Sequence, residues 1–241
     1  MPESGLTPNS SKLSSHLSSQ SAVPSRSRFV IELLVALIVT KLPYVSVPFK
    51  WFESFFHEIS HGIATLITGG VVNSIQLFPN GAGLCTSQGG NAILIAFSGY
   101  PGAALWGYLI FLLATWRAGI RFTLSLLGLI VMASLLFWAR DMLTIIILLC
   151  LAGLFLLPIK LNNNSLLNSL LRILGLMIML NAVASPTVLF GLSGKGDANM
   201  LSQMTWLPAW IWIFIWLAFS GLMLWLSWSK VNVNKGVKHE A

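Results

Sequence analysis

The chain predicts an all-α polytopic membrane protein, and three observations predict it. Hydrophobic residues fill 56% of 241 positions and charged residues only 9%, against roughly a quarter charged in a soluble domain. Several largely uncharged stretches approach 20 residues, the length that crosses a hydrocarbon core about 30 Å thick. The net charge of +7 is spread over tails and loops rather than gathered in a patch, as membrane-flanking charge is. Basic and aromatic residues do not interleave, which excludes a nucleic-acid surface. Cys85 and Cys150 are far apart and give no disulfide framework. Either thiol is a soft metal ligand in principle, but lone cysteines in apolar segments usually serve packing.

The elements follow in order. Residues 1–27 hold ten serines and one acid, a composition that cannot bury a core and reads as a disordered tail. A transit peptide shares that composition, but a plain tail is the simpler account, and no apolar run follows the start as in a secretory signal. Residues 28–229 form the membrane-embedded body, and 230–241 a basic polar tail. The first hydrophobic segment spans about 29–42, closed by Pro43 and Pro48. The second runs from about 51 to 67 and stops at Gly69-Gly70, a helix C-terminal signal. Further spans fall near 92–115, 119–138, 142–158, 166–184 and 207–228, giving six or seven in all. The first two are short enough to be re-entrant. Positive charge falls on alternating loops, so it sets no orientation. Between the second and third spans, Val71 to Phe78 alternates weakly, Pro79-Asn80-Gly81 signals a turn, and Leu84 to Ser87 forms a shorter run. A short β-hairpin is expected there, with an ordinary extramembrane loop as the alternative. A free strand edge at that point can pair with an extended peptide.

The second segment carries the chemistry. His57-Glu58-Ile59-Ser60-His61 is an H-E-x-x-H pentapeptide. On a helix, His57 and His61 lie one turn apart on one face and reach a single metal ion. Zn²⁺ takes such imidazole ligands and keeps a position open for water in catalytic sites. Glu58 lies beside them, placed to accept a proton from that water. A histidine pair at this spacing is often a mere surface feature in a soluble helix. Here the helix is largely apolar, and polar groups at membrane depth are costly unless satisfied. The other two histidines, His16 and His239, lie in the tails. The tryptophans Trp206, Trp210, Trp212, Trp216, Trp225 and Trp228 gather in the last span, where an interfacial belt and lipid-facing packing explain them without function.

Phe56-His57-Glu58-Ile59-Ser60-His61-Gly62, Thr68-Gly69-Gly70, the hairpin and Ser98-Gly99-Tyr100-Pro101-Gly102 together resemble the M50 (site-2-protease-like) metallopeptidases, most closely their M50B-like branch. The likeness is continuous over about 50–115 and thinner afterwards. It implies a membrane-embedded zinc endopeptidase that cuts in or near transmembrane segments of other membrane proteins, bound as extended peptides. It further implies an aspartate from a later span as third ligand, usually in an Asp-Gly motif preceded by Asn and Pro. This chain has no Asp-Gly; its echo is Asn181, Pro186 and then Asp197.

Seven acidic residues make the alternatives few. Asp197 reads either as that ligand or as the N-cap of a short helix over 198–205. Asp141, after Arg140, reads as a juxtamembrane ion pair, with ligation as its alternative. Glu53, one turn before His57, reads as a hydrogen-bond partner for an imidazole or as an interface marker beside Lys50. Glu32 is an intramembrane acid and so a functional suspect, but its nearness to Arg26 and Arg28 favours the interface. The expectation is therefore a multi-pass protein of a bacterial plasma membrane or an organelle. His57, His61 and Asp197 would hold Zn²⁺, Glu58 would act as base, and the metal would stabilise the oxyanion, as no oxyanion-hole motif is visible. The competing class is a non-catalytic scaffold or metal-binding relative. A metal transporter would need ionisable residues at several depths, which the remaining spans lack.

Overall fold

Pro48 does not close the first hydrophobic segment but opens the second. It sits in the first turn of its helix, where a missing N–H costs nothing and the fixed φ suits the helix. The computed structural model describes residues 23–116, 118–191 and 196–231, so most of the expected tails at 1–27 and 230–241 lie outside the described residues. Among the described residues eight helices and one hairpin follow in order: α1 Arg26–Lys41, α2 Val47–Ile67, β1 Val71–Leu77, β2 Gly83–Gln88, α3 Ala92–Leu113, α4 Ile120–Trp138, α5 Met142–Leu156, α6 Asn164–Ala184, α7 Asp197–Thr205 and α8 Ala209–Ser229. Short 3₁₀ segments extend α5 over Leu157–Lys160 and α6 over Ser185–Gly191. The protein is an all-α integral membrane protein with a short hairpin after the His-bearing helix, as expected. Among the described residues, five helices are long and apolar enough to cross a bilayer: α3, α4, α5, α6 and α8. The remaining two of the seven expected spans are α1, only 16 residues long, and α2, which carries Lys50, Glu53 and Glu58.

Side-chain caps set several boundaries. Ser25, Asn91, Asp141 and Asn163 each accept a backbone N–H from the first turn of α1, α3, α5 and α6, satisfying donors that a helix start leaves free. Asp141 bonds Thr144 N at 2.9 Å, and Arg140 donates instead to the carbonyls of Ala139 and Phe137. The expected Arg140–Asp141 ion pair does not form, because the cap is a shorter reach for the same carboxylate.

Helix α6 is the centre of the bundle, packing against α1, α2, α3 and α8. Its closest crossing is with α3, where a Cβ on Gly107 would lie 2.9 Å from Gly175 O. Only glycine permits that approach, the small-residue contact typical of helices in lipid. The apolar face of α2, Phe52, Phe55, Phe56 and Ile59, is buried, with Phe52 against Phe155 of α5 and Phe56 stacked on Trp106 of α3. Its opposite face carries the histidines.

A second polar cluster ties α1 to α6. Glu32 is buried, and Arg172 Nε and Nη2 donate to its carboxylate at 2.8 and 2.6 Å. Arg28 Nε lies 3.3 Å from the same carboxylate and its Nη2 donates to Ser169 Oγ at 2.5 Å. Glu32 therefore does not reach the interface as expected. Arg172, itself buried, holds it inside.

Candidate metal centre

The hairpin lies on α2 and covers its polar face. β1 and β2 pair antiparallel from Val71↔Gln88 to Leu77↔Gly83, with an irregularity between Val72 and Ser74. Val72, Ile75 and Leu77 are buried beneath it. Trp51 Nε1 donates to Phe78 O at 2.9 Å, Ser54 Oγ donates to Gly81 O, and Leu77 N donates to Thr144 Oγ1 at 2.9 Å. The turn is thus fixed to α2 and β1 to α5. Gly81 sits at φ +88° against Lys50, a left-handed turn conformation that favours glycine. Gly83 opens β2 directly over Glu58; a Cβ there would lie 2.6 Å from Glu58 Oε1. The Cys85 backbone N–H hydrogen-bonds the same carboxylate.

Helix α3 closes the other side. Asn91 caps it, and its first turns place Ile95 O 2.6 Å from His61 Nδ1. A carbonyl oxygen only accepts, so Nδ1 carries the hydrogen and the Nε2 of a neutral His61 is a bare lone pair. Ser98 Oγ donates to Ile95 O at 2.8 Å and approaches Ser60 O at 3.1 Å. The segment 98–102, present in the sequence as a pattern without assigned roles, is a packing surface for the histidines. A Cβ at Gly99 would lie 2.5 Å from Nε2 of both His57 and His61, and one at Gly102 would collide with Ser60. Tyr100 stands with its ring centroid 4.4 Å from that of His57, at 79°. Its other side is packed by Trp216, 4.6 Å away and fully buried. One of the six clustered tryptophans therefore supports the site rather than facing lipid.

Asp197 arrives from the far end of the chain. It is the first residue of α7 and not its cap; that position belongs to Gly196, at φ +85°. Asp197 Oδ2 lies 3.2 Å from His57 Nε2 and 3.4 Å from His61 Nε2, and the two nitrogens are 3.0 Å apart. Asp141 stays on α5 as its cap and takes no part. Glu53 is buried one turn before His57 and hydrogen-bonds Ser185 rather than an imidazole. Burial, with the Glu58 charge adding to it, pushes the Cys85 thiol up to about 12. It is a neutral thiol and a poor ligand.

The residues present fit a zinc ion. Four ligands at about 2.0–2.1 Å in a tetrahedron stand roughly 3.3–3.4 Å from one another. The three donor atoms here form a triangle of 3.0, 3.2 and 3.4 Å. No Lys or Arg pairs with Asp197, Glu53 or Glu58 among the described residues.

A family model described as Peptidase M50B-like matches residues 30–227. The chain belongs to the M50B-like peptidase family. That span holds every residue named in the site and all but the ends of the described body. No curated protein and no solved structure matches the chain. Membership makes it a member of a membrane metallopeptidase family. Sequence reasoning had His57, Glu58 and His61 from spacing and Asp197 from resemblance. It gave no role to Tyr100, Trp216, Ser185 or the Ile95 carbonyl. Only Tyr100 carried a signal, its place next to Gly99 in the quoted pattern.

Proposed function

We propose that this protein is an intramembrane zinc endopeptidase, with His57, His61 and Asp197 as metal ligands and Glu58 as general base. One observation carries the reading. Two imidazole nitrogens and a carboxylate oxygen converge within 3.4 Å in an apolar body, beside a second carboxylate, with no Lys or Arg paired to either among the described residues. A zinc ion held there would supply Lewis acidity, polarising a carbonyl oxygen and making a water molecule acidic near neutral pH.

The chain's own residues do the rest. Ile95 O fixes the tautomer and orientation of His61, and Asp197 offsets part of the metal charge. Glu58 accepts a proton as the water oxygen bonds to the scissile carbonyl carbon, then passes it to the amine nitrogen as the C–N bond breaks. The strand lying over the Glu58 carboxylate, β2, is paired only with β1 among the described residues. Its other edge supports a substrate bound as an added extended strand, with main-chain bonds giving affinity without sequence demands.

Glu58→Gln tests this. It keeps shape and hydrogen bonding but cannot take a proton, so zinc content should stay while cleavage of a membrane-spanning substrate falls by about 10²–10⁴-fold. Undiminished cleavage would remove Glu58 as base. Wild type that binds zinc yet cuts no membrane-spanning protein would point to the non-catalytic, scaffold alternative.

A further inference from the structure

Almost every hydroxyl around the site is spent on the backbone. Ser60 Oγ donates to Phe56 O at 2.6 Å, Thr65 Oγ1 to His61 O at 2.9 Å and Ser98 Oγ to Ile95 O at 2.8 Å. The Tyr100 hydroxyl has no hydrogen-bond partner among the described residues, although its ring is wedged between His57 and Trp216. Phe97 in turn packs against Trp216, 6.5 Å between centroids, so the tyrosine ring is held on both faces. The chain uses 14 Phe and only three Tyr. A ring wanted only for packing here would be served by phenylalanine, without a hydroxyl to satisfy. The carboxylates of Asp197, Glu53 and Glu58 all lie within electrostatic reach of that hydroxyl. They accept and do not donate, as do the bare ligand atoms. Peptide hydrolysis places developing negative charge on the carbonyl oxygen, and a preset donor there is among the largest catalytic contributions. Glu58 sits on α2 with the histidines, beneath the hairpin, and Tyr100 comes from α3, so base and donor are supplied by separate helices.

We propose that Tyr100 is a catalytic residue whose phenol O–H donates a hydrogen bond to the scissile carbonyl oxygen, a role that rests on the peptidase reading above. As water adds, a C–O bond forms and the carbonyl π pair moves to oxygen, where the Tyr100 hydrogen bond strengthens without proton transfer. When the pair returns and the C–N bond breaks, the proton reaching nitrogen is the one held by Glu58. Sequence alone left the metal as sole stabiliser; the structure adds a side chain.

The test compares full-length wild type and Tyr100→Phe in detergent, using a fluorescently labelled membrane-spanning peptide as substrate and a phosphinic pseudo-peptide as tetrahedral mimic. Zinc content and thermal midpoint should match wild type. The kcat should fall about 10²–10³-fold with KM little changed, in line with loss of one such donor, and the phosphinic probe should bind weaker by a similar factor. Wild-type kcat and probe affinity in the variant would overturn the donor role while leaving the peptidase reading intact. Loss of zinc in Tyr100→Phe would overturn it too, making the ring's hydroxyl structural. A zinc-loaded wild type that neither cuts the membrane-spanning peptide nor binds the probe would bring down the peptidase reading, and this one with it.

Discussion

Two buried polar clusters lie in the same apolar body, and they are built on opposite principles. Around Glu32 the charges close on themselves: a carboxylate faces two guanidiniums, and Ser169 and the Ala114 carbonyl accept further bonds from them. Around His57 they do not. Asp197, Glu58 and Glu53 gather with two imidazoles, and acceptors outnumber donors. A closed cluster holds helices together and needs nothing further. An open one in a low-dielectric surrounding calls for a cation. That difference separates a fastener from a site more clearly than burial does, since Glu32, Glu53 and Glu58 are almost equally buried.

Removing the histidines should break the comparison most severely. His57→Ala with His61→Ala leaves too few donors for the ion. The purified protein should fall from about one zinc per chain to background, with cleavage lost and the bundle still folded. Elemental analysis with a melting curve checks both, and full zinc occupancy in the double variant would place the metal elsewhere.

The closed cluster should respond the other way. Arg172→Met strands Glu32 with only the partly exposed Arg28, and breaking a buried pair costs roughly 3–5 kcal/mol. The melting midpoint should drop while the folded fraction keeps its zinc. Adding Glu32→Leu removes the stranded charge and should recover most of the loss. Zinc loss in step with either substitution would mean that the two clusters are coupled.

Legibility followed chain distance. The histidine pair was readable because a helix turns every 3.6 residues, so a spacing of four fixes a shared face whatever surrounds it. The hairpin was readable from Pro79-Asn80-Gly81, and the helices from apolar length. What failed were pairings across the bundle. Glu32 and Arg172 are separated by 140 residues, and nothing local distinguishes an acid bound for the interface from one bound for a buried arginine. Trp216 looked like its lipid-facing neighbours for the same reason. The cap role passed from one aspartate to the other: residue type alone suited Asp197 to a cap, with ligation as what the resemblance implied, and Asp141 to an ion pair, whereas Asp141 is the cap. Local geometry decides this, since the Gly196 backbone takes the cap position and frees the Asp197 side chain to turn inward.

That exchange yields the smallest effects and the finest test. Asp197→Asn preserves size and its place in the first turn of α7 but removes the charge, so zinc affinity should fall at least about tenfold, roughly 1.4 kcal/mol. Asp141→Asn should leave zinc untouched and stability nearly unchanged, because asparagine caps a helix as well as aspartate does. Asp141→Ala removes the bond to Thr144 N and should cost about 1 kcal/mol in unfolding, again without metal loss. The three variants therefore separate a carboxylate wanted for its charge from one wanted for its oxygen. Metal loss in an Asp141 variant, or none in Asp197→Asn, would put Asp197 on the closed side of the comparison and leave two histidines as the whole of the site.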